Sequence, residues 1–256
     1  MADAPILQAT RLTRRFGGLA AVDAVSLNLH VGEVHAVIGT NGAGKSTLVN
    51  LLSGELACDA GQVQLRVNDT MQDIAHWPQP RRARAGLARS YQRSTLFGEF
   101  TVLENCRLSA QAALQRPWQV WEPAARCERS RGIAHEVLHT TGLADAAQQP
   151  AGTLSHGQKR QLEVAMCLAT RARVLLLDEP LAGMGAEETE RMLTLLQALK
   201  PTHAVLLVEH DMDAVFRIAD RITVMVNGQV IASDVPQAIR SHAEVRAAYL
   251  GEESLP

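Results

Sequence analysis

Nine residues, Gly39 to Thr47, reading GTNGAGKST, constrain this chain more than any other feature of its sequence. They satisfy G-x-x-x-x-G-K-[ST] and stand between an apolar run, Val34 to Ile38, and a helix-compatible run, LVNLLSG. A strand that enters a helix through a glycine-rich turn is the setting in which this pattern binds phosphate. Gly42 and Gly44 let the backbone curl, so that consecutive N–H groups across Gly39, Thr40, Asn41, Gly42 and Ala43 can face one anion. That anion would lie at the positive end of the helix that follows. Lys45 would reach the β- and γ-phosphates of a nucleotide, and Ser46, ahead of Thr47, can offer its hydroxyl to Mg2+.

A second segment supplies the chemistry that a bound triphosphate needs. Val174 to Pro180 reads VLLLDEP, an apolar strand ending in two adjacent carboxylates. Asp178, at the strand end, can hold the Mg2+ shell. Glu179, pointing elsewhere, can polarise a water for in-line attack on the γ-phosphate.

Around these motifs the texture alternates. Strand-like runs at Val22 to Leu29, Val34 to Ile38, Gln62 to Val67, Val174 to Leu177, Ala204 to Val208 and Ile222 to Val226 are interleaved with helical patterns near 187–199 and 211–219. Such alternation predicts an α/β fold with a parallel central sheet. The stretch from Ile6 to Val67, with tight turns at Gly17-Gly18 and Val31-Gly32, predicts an antiparallel addition to it. Between about 95 and 170 Ala, Leu, Gln, Glu and Arg dominate and strand-like runs are absent, which predicts an inserted helical subdomain broken at Pro117, Pro123 and Pro150.

The order of further segments resembles the ATP-binding-cassette ATPases over nearly the whole chain. Leu154 to Gln158, LSHGQ, lies about twenty residues before VLLLDEP and is similar to that family's LSGGQ signature, with His156 where a second Gly is usual. The resemblance implies that Ser155, Gly157 and their neighbours His156 and Gln158 meet the γ-phosphate of ATP held by an opposite subunit. It further implies that Phe16 stacks on adenine with Val22 packing beside it, that Gln92 touches the Mg2+ site, and that His210 in LLVEHDM contacts the γ-phosphate. Gly185 stands where the family usually has Asp or Asn. The implied fold is a P-loop NTPase, RecA-like core (residues 1–94 and 171–256) with an antiparallel β addition and a helical subdomain (95–170). The implied cofactors are ATP and Mg2+.

Partners follow from the same resemblance. TLFGEFTVLENC, EPLAGMGAEE and the terminal VRAAYLGEE look like the ATPases of branched-chain amino acid importers, and lipopolysaccharide-export ATPases share the ending. The expected assembly has transmembrane permease subunits, a second ATPase subunit (identical or not) and, indirectly, a periplasmic or extracellular substrate-binding protein. Leu96, Phe97 and Phe100 are candidate exposed contacts for the permease. A formal charge of -2, from 25 basic and 27 acidic side chains, gives no excess positive field for nucleic acid and argues against a soluble factor acting on DNA or ribosomes. No apolar run approaches the roughly 20 residues that cross a bilayer, and MADAPILQATRLTRRF does not read as a signal peptide, so the expected place is the cytoplasmic face of a membrane.

One competing motif stands apart. His135 to His139 reads HEVLH, formally the zinc-protease pattern H-E-x-x-H on a plausible helix. No third ligand follows in an evident place, and Ile133, Val137 and Leu138 beside it predict an amphipathic helix with these polar residues in water. Cys58, Cys106, Cys127 and Cys167 have no metal-ligand spacing and are expected to be reduced thiols.

Overall fold

The computed structural model describes residues 4–91, 96–114 and 127–250. Among the described residues ten strands form two sheets. The first is antiparallel, in the order β2 (Leu19–Leu29), β1 (Leu7–Phe16), β4 (Ala60–Val67), β5 (Thr70–Asp73). In the second, β9 (Arg221–Val226), β3 (Val34–Gly39), β8 (Ala204–Val208), β7 (Val174–Asp178) and β6 (Leu87–Arg89) run parallel in that order, and β10 (Gln229–Asp234) pairs antiparallel with β9 at the edge.

The central strands β3, β7 and β8 are buried at every position, as parallel strands covered on both faces must be. Their alternation feeds two cores. Leu175, Leu177, Val205 and Leu207 face the helices of the middle of the chain, whereas Val174, Leu176, Leu206 and Val208 face α1 (Lys45–Ser53) and the antiparallel sheet. A third, smaller core joins Ala36, Ile38, Ile222 and Val224 to Val215 of α7 (Met212–Ile218) and Ile239 of α8 (Pro236–Ser241).

The short helix α2 (Gln79–Arg84) precedes β6. From residue 96 to 170 the described regular elements are helical: α3 (Val102–Leu114), α4 (Glu128–Thr140), two short 3-10 turns and α5 (His156–Ala169), whose packing buries Cys106, Ile133, Leu138 and Leu162. The α6 (Ala186–Leu199) and α9 (Ala243–Leu250) helices complete the chain. None of the described helices is long and apolar enough to cross a membrane. Burial pushes the thiols of Cys106 and Cys167 up to about 12, so both behave as small apolar groups.

The strands β5, β6 and β10 were not among the strand-like runs of the sequence. β4 and β5 are joined at Asn68-Asp69, and β9 and β10 at Asn227-Gly228, where both central residues have positive φ (47° and 62°, then 48° and 81°). These are the mirror-image hairpin turns that Asn, Asp and Gly favour. Leu96 also departs from expectation: it is half-buried and packs against the core, whereas Phe97 and Phe100 are exposed, their rings stacked 5.5 Å apart.

Candidate active site

The glycine-rich loop leaves β3 at Gly39 and enters α1 at Lys45, with Gly44 as the N-cap at φ 98° and Gly42 at φ 79°. Space as well as φ excludes side chains here: a Cβ on Gly44 would strike the carbonyl oxygen of Ala21, and one on Gly39 that of Met225. The Lys45 ammonium, 9% exposed, donates to the carbonyls of Gly39 (2.7 Å) and Thr40 (3.1 Å). Burial lowers its pKa while the nearby Glu179 and Asp178 hold it up.

This loop forms one wall of a cleft of about 400 Å3 lined by Asn41 to Thr47, by Leu19, Ala20 and Ala21 of β2, and by Glu179 and Asn227. Asp178 ends β7 behind it, 1% exposed, its backbone N–H bonded to the Ser90 hydroxyl at 3.2 Å. Its Oδ2 lies 3.5 Å from Arg89 Nη2, but Oδ1 is buried without a hydrogen-bond partner. Burial raises the carboxyl's pKa against the pull of Arg89. A buried carboxylate oxygen left without a donor, near Lys45 and behind a cleft lined by Ser46, supplies the hard oxygen that Mg2+ prefers.

Glu179 follows with φ 50°, a left-handed conformation that a glutamate adopts at a cost of about 1–3 kcal/mol. Its N–H bonds the Val208 carbonyl at 2.8 Å, which ties the residue to β8 and turns its side chain away from that of Asp178 into the cleft. His210 stands across from it, Nδ1 3.9 Å from Glu179 Oε1 and 3.8 Å from Glu209 Oε2. Glu209 is buried and accepts from the N–H groups of Leu181 (2.7 Å) and His210 (3.2 Å), fixing the turn that carries the histidine.

Val22 and Phe16, expected beside adenine, are not among the residues that line the cleft. Val22 is fully buried in the core beneath the antiparallel sheet and does not reach the cleft. Phe16, 47% exposed at the end of β1, has the Arg14 guanidinium 5.1 Å from its ring and pairs with Leu19, whose exposed side chain lines the cleft. Gln92 lies outside the described residues. Arg89, Glu209, Asn227 and the Leu19–Ala21 segment were missed because no local motif marks them; only the fold brings them to Asp178 and the loop.

The signature segment lies elsewhere. Ser155 N-caps α5: its hydroxyl accepts from the Gln158 N–H (3.2 Å) while Gln158 Oε1 accepts from the Ser155 N–H (3.0 Å), a closed capping box. His156 Nε2 is 2.9 Å from the Ala182 carbonyl oxygen. None of Ser155, His156, Gly157 or Gln158 lines the cleft. The HEVLH residues His135, Glu136 and His139 are exposed on α4, and Glu136 is paired with Arg171 at 2.8 Å. Among the described residues no cluster of three or more His, Cys, Asp or Glu side chains could hold a metal ion by itself.

The family profile described as ABC transporter matches residues 22–182. The chain belongs to the ABC transporter ATPases. A second profile, described as Branched-chain amino acid ATP-binding cassette transporter, matches residues 229–254 of this ABC ATPase. The high-affinity branched-chain amino acid transport ATP-binding protein BraF of Pseudomonas aeruginosa is 38% identical over 255 residues, 97% of this chain and 98% of the relative. LivG of Escherichia coli, of the same description, is 37% identical with the same coverage. Among solved structures, a nucleotide-free ATP-binding cassette from an ABC transporter matches with TM-score 0.85 at 29% identity, covering 97% of this chain and all of that one. The ADP conformation of such a cassette matches with TM-score 0.85 at 30% identity, over 97% of this chain and 99% of that one. The chain is thus an ATP-hydrolysing transporter subunit, and its P-loop NTPase fold is that of its relatives.

Proposed function

We propose that this chain powers the import of branched-chain amino acids, working on the cytoplasmic face of a membrane as one of two ATPase subunits beneath transmembrane permease subunits. The observation that carries the reading is the full-length likeness to BraF and LivG, together with the family match at residues 229–254, a segment outside the ATP-binding motifs.

In the proposed cycle the N–H groups of Asn41 to Thr47 and the Lys45 ammonium hold the β- and γ-phosphates. Ser46 and Asp178 hold Mg2+, which when bound neutralises charge on the phosphate oxygens. Glu179 accepts a proton from a water whose oxygen attacks the γ-phosphorus, and the bond from that phosphorus to the β,γ-bridging oxygen breaks to leave ADP and phosphate. His210 orients the γ-phosphate. Because Ser155 to Gln158 lie off the cleft, their part is to cover the nucleotide of a second copy, with Ser155 and the α5 N-terminus meeting its γ-phosphate.

The core, 1–94 and 171–256, and the helical subdomain, 95–170, are the two parts that move in this reading. Between them lies a cavity of about 230 Å3, walled by Gln79 and Ala83 of α2, Arg89 and Tyr91 after β6, and Glu163 and Cys167 of α5. This cavity suits a short cytoplasmic helix of the permease, and the exposed, stacked Phe97 and Phe100 are candidate apolar contacts for the same partner. Arg89 belongs both to this cavity and to the surroundings of Asp178, so that a partner seated there bears on the nucleotide site.

Uptake of radiolabelled leucine, isoleucine and valine by cells lacking the gene tests the substrate. Loss of uptake is expected, restored by the wild-type chain but not by Lys45→Ala. Unchanged uptake of all three would show that the cargo is of another class.

A further inference from the structure

Glu188 lies in the first turn of α6, and its carboxylate reaches the signature segment at the start of α5. The Ser155 hydroxyl donates to Glu188 Oε1 at 3.0 Å. A Cβ built on Gly157 would sit 2.6 Å from Oε1 and 2.8 Å from Oε2, so both carboxylate oxygens occupy the space that the missing side chain leaves. Oε2 is also 3.4 Å from the N–H of Gly185. The carboxylate is half-buried at the end of the 14-residue α5, where the helix dipole favours negative charge.

Ser155 has one hydroxyl proton, and it is committed to Glu188, while the oxygen accepts from the Gln158 N–H. A phosphate arriving from a second copy would need that proton and that helix end, and it would meet a like charge already in place.

We propose that Glu188 controls the face on which this chain meets a second, ATP-loaded copy: its carboxylate stands in the isolated chain where the other copy's γ-phosphate is to bind, and must leave before the two close. The inference rests on the reading that two copies close over ATP. It gives the isolated chain a threshold for ATP-driven association, set by breaking the contact between Glu188 and Ser155. The exchange needs only a side-chain rotation of Glu188, because its backbone stays in α6.

The test uses the full chain carrying Glu179→Gln, so that bound ATP is kept, and compares it with Glu179→Gln/Glu188→Gln by sedimentation velocity as Mg2+ and ATP are raised. Glu187→Gln in the same background removes the same charge from the same turn but from a side chain that pairs with Arg191 instead. The expected result is that Glu188→Gln lowers the ATP concentration for half-association about tenfold, the size of one charge-assisted hydrogen bond, while Glu187→Gln leaves it within about twofold. If Glu188→Gln destabilises α6, Glu188→Asp keeps the cap and the charge on a shorter arm and is expected to shift the midpoint the same way by a smaller factor. No shift in Glu188→Gln, or an equal shift in Glu187→Gln, overturns the proposal while leaving ATP-driven pairing intact. Absence of any ATP-dependent association in the Glu179→Gln parent contradicts the pairing itself, and the proposal with it.

Discussion

Gly44 joins the glycine-rich loop to the helix that follows, and it does so under two independent constraints. Its φ of 98° is a conformation that residues with a side chain rarely adopt, and the carbonyl of Ala21 fills the place of a Cβ. A Gly44→Ala substitution therefore strains the backbone and pushes β2 away from the cleft wall. It is expected to cost about 2–4 kcal/mol in urea unfolding and to abolish binding of a fluorescent ATP analogue. Wild-type stability and affinity in that variant would contradict the packing described. The loop, Asp178 and Glu179 were legible because their function depends on sequential neighbours: a run of backbone N–H groups, or two carboxylates at one strand end. The surroundings of Val22 were not legible, for the opposite reason. One residue's shift along a strand turns a side chain from the cleft to the core, and only the pairing of β1 with β2, where the register shifts near Arg14, decides which.

At the scale of the element, the helix α1 ends on an unusual support. Arg82 of α2 is 1% exposed, and its guanidinium donates to the carbonyls of Leu51 (2.9 Å) and Leu52 (2.7 Å) at the end of α1, and to those of Ala75 (2.9 Å) and Trp77 (3.0 Å). Burial lowers its pKa to about 10, which still leaves it charged at neutral pH, at the negative end of the α1 dipole. Removing it takes a donor from four carbonyls, of which that of Leu51 keeps the Gly54 N–H at 3.3 Å. Arg82→Ala is expected to destabilise the chain by about 3 kcal/mol or more by urea titration, and Arg82→Lys to recover less than half, since one ammonium cannot span the four carbonyls. A loss under about 1 kcal/mol for Arg82→Ala would mean that other donors take over. Nothing in WPQPRRARAG distinguishes Arg82 from Arg81 and Arg84, which are exposed, because the helix is too short to show a period. The same brevity hid β6, three residues long, whereas β5 and β10 were missed although the Asn68-Asp69 and Asn227-Gly228 turns before them carry a hairpin signal.

Across the whole molecule the alternation of strand and helix was readable because parallel strands must be apolar throughout and their crossovers must be long. What the sequence could not place was everything assembled from distant segments: Arg89 beside Asp178, Asn227 beside the loop, Glu188 against Ser155. The phosphate loop and Glu179 line one cleft, with Asp178 behind it and His210 beside Glu179, and the signature is not part of that lining. In the proposed reading one chain holds a nucleotide on one side only, and the second half of each site comes from another copy or a related ATPase. Gly185, which N-caps α6 with no side chain of its own to offer across such an interface, is compatible with a non-identical partner. The central claim is that Glu179 drives hydrolysis within such a pair. Steady-state phosphate release by Glu179→Gln, measured together with its mass in solution under saturating Mg2+ and ATP, tests this most directly. The expected result is turnover reduced by at least about a hundredfold, with ATP still bound and the chain held as a closed dimer. Phosphate release near the wild-type rate would contradict the account, because the water would then be activated by some other group.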